Sequence, residues 1–214
     1  MGSRPGPSWR GAAWTVARPR LVLSSGPMRV LFLENEDSFS WNVIDRLPCA
    51  RDEVAIVPGR EVAACPDRLA GADVLVIGPG PTDPERAGLI GVVRAALARR
   101  LPTLGICLGH QAIGLAFGAR LVRTPPRHGK RSIASFTGAR IFAAFAGPQT
   151  VMRYHSLALA DVTAPLRVVA TSEDGVVMAV EHEELPLAGL QFHPDSFATP
   201  RGAEMIASFF RGLA

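Results

Sequence analysis

The sequence predicts an α/β fold of three layers: a mostly parallel central sheet, helices on both faces, and a smaller antiparallel part. Three observations lead there. From Met28 onward, apolar runs of strand length alternate with segments of helical periodicity. The order strand, helix, strand, helix implies a parallel sheet covered on both sides. The chain, 214 residues long and 48% apolar, is also large enough to bury one good core.

RVLFLE (29–34) reads as a buried strand. NEDSFSWNVIDRL (35–47) follows as a helix, with Asp37 or Ser38 as N-cap and Pro48 ending it. EVAIV (53–57) and DVLVI (73–77) are further short strands. PERAGLIGVVRAALARR (84–100) has Pro84 at its start and Leu89, Val92, Val93, Ala96 and Leu97 along one face, which makes it a helix. TLGI (103–106) is again a strand and HQAIGLAF (110–117) a helix. After residue 120 shorter strands and denser turns are expected. RVVAT, VVMAVEH and LAGLQF suggest a partly antiparallel stretch of sheet, and a helix over about 200–212 follows. Residues 1–27 mix Arg, Pro, Gly and Ser without periodicity and read as a flexible basic extension ahead of one domain, 28–214.

Composition removes several function classes. Four of the 23 basic residues (Arg4, Arg10, Arg18, Arg20) lie in the extension, which has no acid. The remaining 19 face 19 acidic residues, so the body is neutral. No basic stripe with interleaved aromatics appears, which argues against nucleic acid as a partner. No apolar run approaches the ~18 residues of a membrane span. Cys49, Cys65 and Cys107 are scattered and odd in number, which fits a reducing compartment, the cytoplasm, and no disulfide framework. None has metal-ligand spacing, so no structural metal is expected.

The chemistry concentrates at Gly105-Ile106-Cys107-Leu108-Gly109. This is the thiol form of the strand–turn–helix nucleophile elbow. The turn strains its central residue, and the residues two away must lack a Cβ or strand and helix collide. The sulfur then projects clear of the backbone at a helix N-terminus, which favours a thiolate. The Leu108 N–H points toward the place where an oxyanion would form. Of five histidines, His193 is the best base: it ends the apolar strand LAGLQF before Pro194, where α/β sheets place their sites, and Asp195 follows to orient it. His110 is expected to pack or hydrogen-bond, and His182, among glutamates, to lie on the surface; His128 and His155 are intermediate. GPGPTDP (78–84), after a strand, presents rigid backbone N–H groups that could complete an oxyanion hole. No Gly-Lys-Ser/Thr follows to make it a phosphate loop.

With these pieces placed, the chain resembles the class I (triad-type) glutamine amidotransferases, and more narrowly the glutaminase subunits of anthranilate and aminodeoxychorismate synthases. The resemblance runs from about Met28 onward. Seven ordered segments carry it: NEDSFSWN (35–42), PGPTDP (79–84), GICLGHQAIG (105–114), HGK (128–130), RYHSL (153–157), EDGVVMAVEH (173–182) and QFHPDS (191–196). It implies a flavodoxin-like fold and Cys107, His193 and Asp195 as the catalytic triad. Gly80, Pro81, Thr82, Leu108 and Gln111 would line the glutamine site, and Ser156 and Leu157 would hold the amino-acid head. It implies no cofactor or metal, L-glutamine as substrate, and a chorismate-binding synthase subunit as partner in a hetero-oligomer. Two positions depart from the family's pattern: Asp195 stands where glutamate is usual and Thr82 where glycine is usual. If position 82 needs φ > 0, threonine costs about 1–2 kcal/mol there. An amidotransferase for another acceptor, such as carbamoyl phosphate or a purine nucleotide, and a weakly catalytic regulatory subunit are the alternative readings. The product, anthranilate or aminodeoxychorismate, lies with the partner.

Overall fold

The computed structural model describes residues 28–213; the expected basic extension lies outside them. Nine strands form one sheet: β1 (Val30–Glu34), β2 (Val54–Pro58), β3 (Val74–Ile77), β4 (Thr103–Ile106), β5 (Arg120–Phe136), β6 (Gly147–Ala160), β7 (Leu166–Ser172), β8 (Val177–His182) and β9 (Leu187–Leu190). Their spatial order is β2-β1-β3-β4-β9-β8-β7-β5-β6. β2, β1, β3, β4 and β9 run parallel. The sheet continues through antiparallel pairings from β8 outward. The helices are α1 (Ser40–Ile44), α2 (Gly59–Ala64), α3 (Leu89–Ala98), α4 (Leu108–Ala116) and α5 (Gly202–Arg211), with a 3-10 segment Arg140–Phe145.

The three layers follow from the period of a strand. Val30 and Phe32 of β1 and Val74 and Val76 of β3 face a core shared with α1, α5 and the 3-10 segment. Leu31, Leu33, Leu75 and Ile77 face a second core with α2, α3 and α4. A strand buried on both faces has no polar side to show, so its sequence is a continuous apolar run.

Several boundaries differ from expectation. The first helix is cut to Ser40–Ile44, because Asp37 turns the chain with its own carboxylate, accepting the Phe39 N–H at 2.8 Å. The helix expected over 84–100 starts at Leu89. Gly88 sits at φ 70°, a left-handed break after the turn that Asp83 and Pro84 form, and a Cβ there would stand 2.8 Å from Ala63 of α2. α2 was not anticipated.

The strands after residue 120 are not shorter: β5 has 17 residues and β6 has 14. β5 hides from pattern reading because it is exposed along most of its length and carries Pro125 and Pro126. Its ladder to β6 is irregular between Arg123 and Arg127 and again between His128 and Lys130. His182 is buried, not on the surface. Its Nδ1 accepts the Glu184 and Leu185 N–H groups, both at 3.0 Å, and so closes the turn after β8.

Candidate active site

Cys107 stands at the carboxyl end of β4 and caps α4, which begins at the next residue. Its backbone is at φ 51°, in the left-handed region that a side chain adopts only when its surroundings hold it there. They do. A Cβ on Gly105 would lie 2.4 Å from the Gly109 carbonyl carbon, and one on Gly109 would lie 2.3 Å from the Ile77 oxygen. Strand and helix thus touch backbone to backbone, and the turn between them has no room to relax. The Cys107 N–H donates to Leu190 O of β9 at 2.8 Å. Leu108, the first residue of α4, has an N–H without an acceptor inside the helix.

β9 continues into the loop that carries His193. Its N–H donates to Met152 O of β6 at 2.9 Å, and the Thr199 hydroxyl donates to its carbonyl at 2.8 Å. The loop also packs on the start of α5, where only Gly202 fits against Pro194. The imidazole is 2% exposed, with Phe39 and Tyr154 standing edge-on to it at 5.4 and 4.9 Å. It lies close enough to the Cys107 sulfur for the sulfur to raise its proton affinity. Its Nδ1 is 3.3 Å from Asp195 Oδ1, yet that contact is too poorly aligned to be a hydrogen bond, and both carboxylate oxygens lack any other partner. Burial works against a charged His193, but Asp195 and the Cys107 sulfur outweigh it and hold its pKa above the ordinary value.

The remaining expected residues fall in two groups. Gln111 and Leu157 come together: the Gln111 amide donates to the Leu157 carbonyl at 3.1 Å. Gly80 packs on Leu108, where a Cβ would stand 2.5 Å from the leucine side chain. Pro81 and Thr82 are exposed in the 78–84 loop, and Ser156 is adjacent to Leu157 on β6. Thr82 has no left-handed backbone, so the strain foreseen for threonine there does not arise.

Sequence reading missed two neighbours. Gln191 is fully buried; its amide nitrogen is 3.7 Å from the Cys107 sulfur, and its oxygen accepts the Gln111 amide at 3.2 Å. A polar residue closing the apolar run LAGL was the available signal. Asn35 ties the ends of two strands together, donating to Gly78 O at 3.0 Å and Leu33 O at 3.3 Å. An open cleft of about 500 Å³ beside the histidine is lined by Phe39, Tyr154, Asp195 and Phe197 among others. Another, of about 390 Å³, lies at the amino ends of β1 and β2, the opposite end of the sheet from Cys107. Among the described residues no metal-binding cluster occurs, and no helix is long and apolar enough to cross a membrane.

Two other histidines are held neutral. Burial pulls His110 down to about 3, and burial with the Arg153 charge pulls His155 down to about 4. Their folded values lie below the unfolded one, so as pH falls the unfolded chain takes up protons that the folded one refuses. The stability they contribute is complete above about pH 6.5 and is lost toward their folded values. His193, shifted upward, works in the opposite sense, adding stability as pH falls toward the unfolded value, and offsets less than about 1 kcal/mol of this between about pH 7 and about pH 5. Going from about pH 7 to about pH 5 is therefore expected to cost about 4 kcal/mol from His110 and His155 together. Urea midpoints at the two pH values check this, and coincident midpoints would refute it.

Comparison with known proteins gives the family. The family model for class I glutamine amidotransferases matches residues 31–213. An anthranilate synthase component 2 of Mycobacterium tuberculosis is 40% identical over 188 residues, 85% of this chain and 81% of its own. An aminodeoxychorismate synthase of Streptomyces griseus is 43% identical over 185 residues, 85% of this chain. This chain spans 26% of that relative's length. A glutamine amidotransferase structure from Thermotoga maritima superposes with a TM-score of 0.68 at 15% identity, over 88% of this chain and 96% of its own. The family model covers β1 through α5, elbow and histidine loop included, and so this chain belongs to the class I glutamine amidotransferase family.

Proposed function

We propose that this chain is a glutaminase subunit. It hydrolyses L-glutamine to glutamate and ammonia through Cys107, His193 and Asp195. It delivers the ammonia to a chorismate-using synthase partner in a hetero-oligomer, for anthranilate or aminodeoxychorismate synthesis. One observation carries the reading: a thiol held on a left-handed turn at the start of α4, close enough to a buried imidazole to raise its proton affinity. The names of relatives such as the M. tuberculosis component 2 support the choice of partner.

The chemistry runs as follows. The Cys107 thiolate attacks the side-chain amide carbon of glutamine; a C–S bond forms and the oxygen takes the negative charge. The Leu108 N–H and the Gly80–Thr82 loop stabilise that oxyanion. His193 gives its proton to the amide nitrogen, the C–N bond breaks and ammonia leaves. Water, deprotonated by His193, then attacks the thioester; the C–S bond breaks and glutamate departs. Asp195, 3.3 Å from Nδ1, offsets the charge of the imidazole. Ser156 and Leu157 hold the amino-acid head, and Gln111 lines the glutamine site. No step requires a metal or cofactor. Ammonia protonated in bulk water is no longer a nucleophile, so a docked acceptor subunit is required. The open cleft beside His193 and the 87% exposed Phe197 at its rim offer a face for it.

Incubation with a glutamine-mimicking chloroketone, followed by peptide mapping, is expected to place the adduct on Cys107. Absence of labelling, with the partner present, would leave a catalytically silent subunit as the reading. Asp195→Ala is expected to lower kcat/KM for glutamine on the order of 100-fold. A rate equal to wild type would remove Asp195 from the triad. Identifying the co-purifying large subunit would decide between the two products.

A further inference from the structure

Arg153 of β6 is the largest fully buried side chain among the described residues. One terminal nitrogen donates to both Asp174 oxygens, at 2.8 and 3.0 Å, and to Ser132 at 3.1 Å; the other has no partner. A buried guanidinium left partly unsatisfied is a poor device for stability, because apolar replacements of buried ion pairs are often neutral or better. Its third group explains it better. The Nε–H donates to His155 Nε2 at 3.1 Å, and His155 Nδ1 is 2.9 Å from the Leu157 carbonyl. The first contact requires a bare Nε2 and the second requires a proton on Nδ1. Together they select one neutral tautomer.

We propose that Arg153 is a positioning residue for glutamine: it locks His155 in the Nδ1–H tautomer, which pins the Leu157 carbonyl that Gln111 also grips. This rests on the proposed glutaminase reading, in which Leu157 holds the substrate's amino-acid head and Gln111 lines the glutamine site. The other imidazole tautomer would turn a lone pair on the Leu157 oxygen, and the two would repel. A second proton on His155 would put a cation directly against the Arg153 guanidinium, and the Asp174 carboxylate is already engaged by Arg153 and Arg127. The lock acts on substrate and transition state alike, so its loss appears in KM and leaves kcat nearly unchanged.

The direct test is long-range 15N–1H NMR of the full-length wild-type protein. His155 is expected to carry its proton on Nδ1 and none on Nε2 near pH 7; a proton on Nε2 overturns the proposal. This readout needs no activity, so it stands apart from chloroketone labelling of Cys107, whose failure would count against the glutaminase reading instead. Arg153→Met is expected to raise KM for glutamine about tenfold. His155→Asn keeps an N–H donor toward Leu157 without a choice of tautomer. In that background Arg153→Met is expected to change KM by less than about twofold, since Arg153 then has nothing to lock. A full tenfold effect in the His155→Asn background, or a loss confined to kcat, would show that Arg153 acts by another route.

Discussion

Cys107→Ala is expected to abolish glutamine hydrolysis, a fall on the order of 10⁴-fold or more in kcat, because the atom proposed to form the thioester is gone. Ammonia release measured against the uncatalysed background checks it. The fold should survive, with the melting temperature within about 5 °C of wild type, since the exchange removes one sulfur from a site that already tolerates a Cβ. That combination matters: a folded, silent protein identifies the sulfur as chemistry and not as packing. If the variant retained even about a tenth of the wild-type rate, Cys107 would not be the nucleophile.

Gly109→Ala is expected to destabilise the protein by about 3 kcal/mol or more and to lower kcat on the order of 100-fold. The added methyl would sit 2.3 Å from the Ile77 oxygen and 2.8 Å from its Cβ. A flexible side chain could swing away, but a backbone carbonyl of a central strand cannot. α4 would have to lift from β3, carrying the Cys107 sulfur and the Leu108 N–H with it. The control is Gly91→Ala, in α3, where a Cβ meets nothing within 4 Å. There alanine is expected to stabilise by about 1 kcal/mol through helix propensity alone. Urea midpoints of the two variants should move in opposite directions. A Gly109→Ala protein as stable and active as wild type would mean the elbow is looser than the close contact implies.

The catalytic assignment gains from the way His193 is held. Phe39 and Tyr154 wall the imidazole and the loop is tied to β6 and α5, so the ring has little freedom to rotate. Asp195 is close but unaligned at 3.3 Å. The carboxylate therefore supplies charge to the imidazole more than it supplies a directed hydrogen bond. That is why Asp195→Ala is given a smaller expected effect than Cys107→Ala.

Much of this was legible in one dimension because it is local. β1, β3 and β4 are buried on both faces, so each writes itself as an unbroken apolar run. The elbow is legible for the same reason: five consecutive residues must satisfy a backbone collision, and only glycine at 105 and 109 does so. The Asp-Pro pair at 83 and 84 and Gly88 show the limit. They carry a turn and then a helix, which periodicity alone merges into one. What only the tertiary structure decided is contact across distance. β5 is long, exposed along most of its length and interrupted by prolines, so its pairing with β6 depends on a partner strand and not on a pattern of its own. His182 sits among glutamates in sequence yet is buried by Phe117 and the turn it closes. The link from Gln191 to Cys107 joins residues whose side chains have no reason to meet until the sheet is assembled. A sequence records what each residue requires of its immediate neighbours. Which remote groups satisfy those requirements is settled by how the strands are ordered.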